Sequence, residues 1–126
     1  MGAGHALVVD DDETIREVAQ MALELVGGWR VTTASSGAEA VKVARTDRPD
    51  VVLLDVMLPR VDGPAILKML RAETETRDVP IIYLTAKATA GREEEWPLNG
   101  ATGVIAKPFD PMTLADDVAR LIGRDA

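Results

Sequence analysis

The polar residues best suited to chemistry each stand directly after a short apolar run. They are three consecutive aspartates and three later residues: Asp10 to Asp12, Asp55, Thr85 and Lys107. An oxygen-only ligand set with open positions suits Mg²⁺, which keeps several waters and binds phosphate oxygens. If these side chains converge, the residue types predict a magnesium site with a hydroxyl and an ammonium beside it.

The charges of this group predict its chemistry. Two carboxylates about 4 Å apart repel each other by roughly 4 kcal/mol at an effective dielectric constant of about 20, so they raise a carboxyl pKa or bind a cation. A carboxylate can also act as a nucleophile and form an aspartyl phosphate. Mg²⁺, Lys107 and Thr85 would neutralise and orient the phosphoryl group. The residues therefore predict Mg²⁺-dependent phosphorylation of an aspartate.

Each residue also has a simpler explanation when it is taken alone. The aspartate run could be a solvated loop that caps a helix, and Asp55 could be a turn residue. Thr85 could be a capping hydroxyl and Lys107 a surface charge. Only their joint placement at the ends of apolar runs favours a site.

Apolar runs alternate with amphipathic stretches along the chain. The runs predict strands at residues 6–9, 30–34, 51–54, 79–84 and 103–106. Apolar residues spaced by three and four from Ile15 to Val26 predict a helix whose buried face includes Val26 and which Gly27 and Gly28 end.

Three further helices carry start signals or apolar stripes. Ser36 and Glu39 form a capping box for a helix through about residue 46. Residues 66–70 carry the apolar stripe of the next helix, and Asp110 with Pro111 predicts the start of the last. Strands that alternate with helices predict a parallel sheet covered on both faces. In such sheets, the functional site lies beyond the carboxyl ends of the strands.

The composition narrows the class of protein. The 126 residues fit one domain, and 21 acidic against 14 basic side chains give a net charge of −7, which argues against direct nucleic-acid binding. The chain has no cysteine, which excludes disulfides and thiolate chemistry. It has no apolar run of the ~20 residues that span a membrane and no secretion signal, so we expect a cytoplasmic location. We expect His5, the single histidine, in a tail before the first strand.

Four segments resemble the receiver domains of bacterial two-component response regulators. They are residues 7–12, residues 52–59 with 62–63, residues 84–87 and residues 107–109. The resemblance covers about residues 6–122 and implies a flavodoxin-like α/β fold, with a doubly wound five-stranded parallel sheet in the order 2-1-3-4-5 and helices on both faces. It also implies a signalling switch rather than an enzyme that acts on other substrates.

The resemblance assigns a role to each residue at the phosphorylation site. It implies that Asp55 accepts the phosphoryl group, that Thr85 bonds a phosphoryl oxygen and that Lys107 pairs with the phosphoryl group. It also implies a cis peptide bond between Lys107 and Pro108.

The same resemblance implies a ligand set for Mg²⁺. Asp11, Asp55 and the backbone carbonyl of Met57 would bind the ion, and Asp10 would act through a bound water. Met57 and Lys87 match two variable positions that influence loss of the phosphoryl group in the family. Because the apolar Met57 cannot orient a water, we predict slow self-dephosphorylation.

One departure from the family concerns the output of the signal. Val104 stands where the family usually has an aromatic residue that swings inward on phosphorylation. Pro97 also interrupts the helix expected in residues 88–100, where we expect Trp96 to be a packing residue. We therefore predict that signalling relies on movement of Thr85 and on residues 88–100.

The expected partners follow from the resemblance. The phosphoryl donor would be a phosphohistidine on a separate histidine kinase or phosphotransfer protein, and the output would be an unidentified downstream protein. We expect a stand-alone single receiver domain over residues 1–126, without an output domain, as a monomer or a phosphorylation-dependent dimer. The alternative is a receiver domain excised from a larger DNA-binding regulator.

Two other functions compete with this interpretation. The segment Asp10 to Thr14 fits the pattern Asp-x-Asp-x-Thr, which resembles haloacid dehalogenase-like phosphatases with Asp10 as nucleophile and Asp12 as general acid. That interpretation leaves Asp55 without a role and lacks a late acidic pair. A degenerate receiver that only binds partners would lack the acceptor, the acidic pair or the lysine, and all of these are present.

Overall fold

The computed structural model of the protein describes residues 4–58, 62–85 and 101–123. Its strands are β1 (Gly4–Val9), β2 (Trp29–Ala34), β3 (Val51–Asp55), β4 (Ile81–Thr85) and β5 (Gly103–Ala106). They form one parallel sheet in the order β2-β1-β3-β4-β5. The flavodoxin-like topology is therefore confirmed.

Helices pack on both faces of this sheet. Those in the described ranges are α1 (Glu13–Met21), α2 (Gly37–Asp47), α3 (Gly63–Ala72) and α4 (Leu114–Leu121). Apolar residues of α1 and α4 share a core cluster with Leu53 on one face, and those of α2 and α3 share a second cluster with Leu54 on the other. Both leucines are fully buried, which stabilises the fold by about 1.5–3 kcal/mol for each side chain.

Polar side chains cap the first three helices. Asp12 accepts hydrogen bonds from two backbone N–H groups at the start of α1, and Asp62 accepts one from the Ala65 N–H at the start of α3. Ser36 caps α2 by accepting from the Glu39 N–H, as predicted. The Glu39 carboxylate, however, accepts from the N–H of Ser35 rather than from that of Ser36.

The end of the first helix differs from the prediction. Residues Ala22–Val26 form a π-helical segment, which continues α1 with a wider turn. The wider turn shifts the phase of the helix, so Leu23 is buried while Val26 is 45% exposed. The prediction that Val26 lies on the buried face is wrong because a spacing of 3.6 residues per turn does not continue through this segment.

Other boundaries also differ, and β4 covers Ile81–Thr85 rather than the predicted residues 79–84. The helix expected to begin at Asp110 begins at Leu114, because Asp110 directs its carboxylate to the N–H of Met112 and forms a local turn first. His5 lies within β1 and is 5% exposed, so it is not in a tail. In the register of β1 and β2 it pairs with Arg30, and its Nε2 is 2.7 Å from the Thr32 hydroxyl on β2.

Residues 86–100, which include Lys87, Trp96 and Pro97, lie outside the described residues, so the predictions for them stay predictions. Across the ranges that are described, no helix has the length and apolar character needed to cross a membrane.

Candidate functional site

Backbone hydrogen bonds bring the ends of the strands to one edge of the sheet. The N–H of Asp10 donates to the carbonyl of Ala34, the last residue of β2 (3.1 Å), and the N–H of Val56 donates to the carbonyl of Leu84 in β4 (3.0 Å). The N–H of Lys107 donates to the carbonyl of Thr85 (3.0 Å). Backbone pairing therefore continues one residue past β1, β3 and β5. It holds the polar residues that follow these strands at one edge of the sheet.

An acidic cluster lies at this edge. Carboxylate oxygens of Asp10, Asp11 and Asp55 all lie within 4.8 Å of one another. Asp10 and Asp55 are buried, with 0% and 3% of their surface exposed, whereas Asp11 is exposed to solvent. Two buried carboxylates this close together need positive charge nearby.

Lys107 supplies part of that charge. Its Nζ lies 2.9 Å from Oδ2 of Asp10 and 3.4 Å from Oδ1 of Asp55, and only 16% of its side chain is exposed. One ammonium thus bridges the end of β1 and the end of β3. The Lys107–Pro108 peptide bond is cis, as predicted.

The electrostatics of the pair follow from burial. Burial raises the pKa of the Asp55 carboxyl and the charge of Asp10 adds to the rise, while the hydrogen bond from Met57 and the charge of Lys107 oppose it. Burial alone lowers the pKa of Lys107, but its hydrogen bond to Asp10 and the two carboxylate charges outweigh burial and raise it. Lys107 therefore stays charged, and Asp55 holds its negative charge at a cost.

The donor set of the cluster fits Mg²⁺. All of its donors are carboxylate oxygens, which are the ligands that this ion prefers, and the exposed Asp11 leaves one side open for waters. Both oxygens of Asp10 already accept hydrogen bonds, Oδ1 from the Asp12 N–H and Oδ2 from Lys107. Asp10 is thus better suited to contact through a water than to direct binding, whereas both described contacts of Asp55 are made by Oδ1 alone.

The remaining predicted residues stand around the cluster. Met57 donates its backbone N–H to Oδ1 of Asp55 (3.0 Å), while its side chain is 57% exposed. Thr85 is the last residue of β4 and is fully buried. Asp12 accepts from the N–H groups of Thr14 and Ile15, so it caps a helix. The structure therefore brings Asp10, Asp11, Asp55 and Lys107 together and leaves Asp12 outside the cluster.

Arg16 is a residue that the sequence analysis missed. Its guanidinium Nη1 donates a 2.7 Å hydrogen bond to the backbone carbonyl of Asp10. The available signal was weak: an arginine four residues after the helix cap can fold back over the first turn, but it can equally point to solvent.

Comparison with known proteins identifies the family. The family model of the response regulator receiver domain matches residues 6–119. The chain belongs to this family. Its predicted function as a receiver in phosphorelay signalling is thereby confirmed.

The receiver domain is similar to parts of several curated regulators. It is 38% identical over 120 residues to the transcriptional regulatory protein CseB of Streptomyces coelicolor, which covers 95% of this chain and 50% of that protein. It is 42% identical over 103 residues to the probable transcriptional regulatory protein TcrX of Mycobacterium tuberculosis, which covers 82% of this chain and 43% of TcrX. The chain thus spans about half the length of the curated relatives it matches.

Solved structures match the receiver domain over almost its whole length. The chemotaxis response regulator CheY4 of Vibrio cholerae has a TM-score of 0.83 and 34% identity, covering 93% of this chain and 97% of that one. The receiver domain of the sensor histidine kinase PA1611 from Pseudomonas aeruginosa has a TM-score of 0.84 and 36% identity, covering 98% and 99%. The latter structure has a magnesium ion coordinated in its active-site cleft.

The family assignment decides between the competing functions. The phosphatase interpretation, with Asp10 as nucleophile and Asp12 as general acid, gives way to the receiver domain. The helix-capping role of Asp12 provides the physical reason, because its Oδ1 is already engaged with two backbone N–H groups.

Proposed function

We propose that this receiver domain takes a phosphoryl group onto Asp55 from a phosphohistidine of a histidine kinase or phosphotransfer protein. Asp10, Asp11, Asp55 and the carbonyl of Met57 would hold Mg²⁺. The observation that carries the proposal is the contact of Lys107 with both Asp10 and Asp55 inside one acidic cluster. That arrangement has the charges needed to bind a phosphoryl group beside a carboxylate.

Asp55 is a better nucleophile candidate than Asp10. Asp10 has both oxygens engaged, by the Asp12 N–H and by Lys107. Asp55 receives the Met57 N–H and the Lys107 ammonium on the same oxygen, Oδ1. Its other oxygen can therefore approach a phosphorus atom without first losing either of these contacts.

The transfer step balances with water as the proton source. An oxygen of the ionised Asp55 carboxylate attacks the phosphorus, and the O–P bond forms as the N–P bond of the phosphohistidine breaks. The released imidazole takes a proton from water. Bound at the acidic cluster, Mg²⁺ would neutralise charge on the phosphoryl oxygens.

Lys107 and Thr85 complete the site on the side of β4 and β5. The ammonium of Lys107 exchanges part of its contact with Asp10 and Asp55 for the new phosphoryl oxygens. The Thr85 hydroxyl bonds one phosphoryl oxygen after transfer. Loss of the group by hydrolysis is slow, because water attack at phosphorus needs an orienting polar group and Met57 offers a thioether.

The wider assignments belong to the same proposal. Residues 6–122 form one receiver domain whose phosphorylation changes the binding of a downstream protein, and the protein acts in the cytoplasm. The domain catalyses only its own phosphorylation and dephosphorylation.

Intact-mass measurement after treatment with acetyl phosphate tests the proposal. We expect one added phosphoryl group on the wild type in Mg²⁺, little in EDTA, and none on Asp55→Asn. Asp62→Asn is the matched control, since Asp62 is an exposed helix cap near the same edge and Asn caps helices equally well. Full phosphorylation of Asp55→Asn, or equal labelling in EDTA, would contradict the proposal.

A further inference from the structure

Every polar atom of Asp10, in the loop that carries the acidic pair, makes a hydrogen bond. The Asp10 N–H donates to Ala34, the carboxylate accepts from the Asp12 N–H and from Lys107, and the carbonyl accepts from Arg16. The first three contacts come from β2, from the loop itself and from Lys107, the residue that follows β5. Only the Arg16 contact ties the loop to a helix side chain.

We propose that Arg16 is a positioning residue for the metal site, which it serves by holding the Asp10 carbonyl and thereby the orientation of the Asp10 and Asp11 carboxylates. This inference rests on the proposed function of the acidic cluster as a Mg²⁺ site. The contact is short, at 2.7 Å, and its donor is charged, so it belongs to the stronger class of hydrogen bonds.

The covalent link between Asp10 and Asp11 explains how a contact at the Asp10 carbonyl affects the position of Asp11. The carbonyl carbon of Asp10 is bonded directly to the backbone nitrogen of Asp11. Rotation of that peptide plane would move Asp11, which is exposed and lies outside the sheet ladder. Because Arg16 fixes the plane, the exposed carboxylate of Asp11 stays within reach of the two buried ones.

Arg16 is itself held in place by the helix that it belongs to. Its backbone N–H donates to the carbonyl of Asp12 (3.1 Å), which is the cap of α1. The side chain then folds back over the first turn to reach Asp10 and is half-buried there. A single residue therefore links the helix cap, the loop and the end of β1.

Arg16 acts by orienting the metal ligands rather than by placing its charge near the Asp55 carboxyl. The charged groups that act on the Asp55 carboxyl are Asp10 and Lys107. Removal of the Arg16 side chain should therefore weaken metal binding but leave the reactivity of Asp55 intact once the metal is bound. Loss of a partner that orients a metal ligand typically weakens metal binding about 10-fold or more.

The test compares Arg16→Ala, Arg16→Lys and the control Arg120→Ala, which removes an exposed arginine from the last turn of α4. The rate of phosphorylation by acetyl phosphate is measured against Mg²⁺ concentration. For Arg16→Ala we expect the half-saturating Mg²⁺ concentration to rise about 10-fold, with the rate at saturating Mg²⁺ close to that of the wild type. Arg16→Lys, which keeps a charged N–H donor, should recover most of the loss.

Hydrogen exchange of the Asp12 amide in EDTA gives a readout without metal. This N–H donates to Oδ1 of Asp10, so Arg16→Ala should speed its exchange while Arg120→Ala does not. A wild-type Mg²⁺ dependence in Arg16→Ala, or a lysine variant as impaired as alanine, would overturn the inference. A wild type that shows no Mg²⁺ dependence would instead contradict the proposed function.

Discussion

At the scale of single residues, one lysine lies between two buried carboxylates and compensates only part of their charge. Lys107 contacts both Asp10 and Asp55, and all three side chains are largely removed from water. One positive charge cannot balance two negative charges, and the exposed Asp11 adds a third. The site therefore has an excess of negative charge that favours a divalent cation.

This imbalance predicts how Asp55 affects stability. The pKa of Asp55 is raised in the folded protein, so its contribution to stability is complete at pH values below its ordinary pKa of 3.8. That contribution is lost as the pH rises through the pKa of the folded state. In EDTA near neutral pH, we expect Asp55→Asn to be more stable toward urea than the wild type. The difference should shrink as the pH falls toward 3.8. A less stable Asp55→Asn at neutral pH would contradict the cost assigned to the buried charge.

Met57 gives a prediction about the lifetime of the phosphorylated state. Its side chain is 57% exposed beside Asp55, so a substitution there should leave the core intact. We expect Met57→Asn to shorten the half-life of the phosphorylated domain several-fold, because an amide can orient an attacking water. Loss of phosphoryl groups over time in Mg²⁺, after acetyl phosphate has been removed, measures it, with Met57→Leu as the apolar control. Equal half-lives for the two variants would contradict a role for residue 57 in the rate of self-dephosphorylation.

Most of the site could be predicted from residue types and order. Asp55 and Lys107 each follow an apolar run, and parallel strands place such residues at one edge. Arg16 could not be found in this way, because its partner is a backbone carbonyl. Every residue has such a carbonyl, so the residue types do not show which one a side chain binds. The structure brings the side chains of Asp55 and Lys107 together, but the roles of Asp55, Thr85 and Lys107 in phosphorylation, and of the carboxylates and the Met57 carbonyl in metal binding, stay predictions.

At the scale of elements, the start of α3 lies directly against the end of β3. A Cβ atom at Gly63 would lie 2.9 Å from the Cα of Val56 and 3.1 Å from the carbonyl oxygen of Asp55. Both are backbone atoms and cannot turn aside. The glycine thus allows the helix to approach the strand that carries the proposed acceptor.

Gly63→Ala tests this close approach. We expect the free energy of unfolding to fall by roughly 1–3 kcal/mol, as for other overpacked sites, and phosphorylation of Asp55 to slow because its backbone is displaced. Urea unfolding and the acetyl phosphate assay measure the two effects. Ala65→Ser, a small change two residues further along the same helix, is the control. An unchanged stability in Gly63→Ala would show that the helix has room to move.

The output of the signal is also a question of elements. Val104 lies opposite Tyr83 in the register of β4 and β5, and it packs against the core cluster of α2 and α3. Its short branched side chain has a single χ1 torsion. The prediction that movement of Thr85 and residues 88–100 replaces an aromatic lever stays open.

The sequence pattern predicted element types better than element ends. Continuous apolar runs such as residues 51–54 predicted the buried strands, since burial on both faces needs no polar residue. The π-helical segment at Ala22–Val26 and the late start of α4 depend on hydrogen bonds that periodicity does not encode. His5 in β1 was missed because a polar residue at a strand end resembles a tail.

At the scale of the whole molecule, the net charge of −7 is partly concentrated in one site. A ligand that binds only the folded state stabilises it, by about 2.7 kcal/mol at a concentration about 100 times its Kd. For a domain of this size, we expect such binding of Mg²⁺ to raise Tm by on the order of 10 °C. Asp11→Asn should lose most of this shift, whereas Asp62→Asn should keep it. An Asp11→Asn shift as large as that of the wild type would contradict the metal site.

The identity of the phosphorylated residue tests the central claim most directly. After treatment with acetyl phosphate and Mg²⁺, reduction with borohydride converts a phosphorylated aspartate into homoserine, which peptide mass spectrometry can locate. We predict homoserine at position 55 and at no other aspartate. Homoserine at position 10 would contradict the account, because Asp10 is assigned to the metal site and to the Lys107 contact.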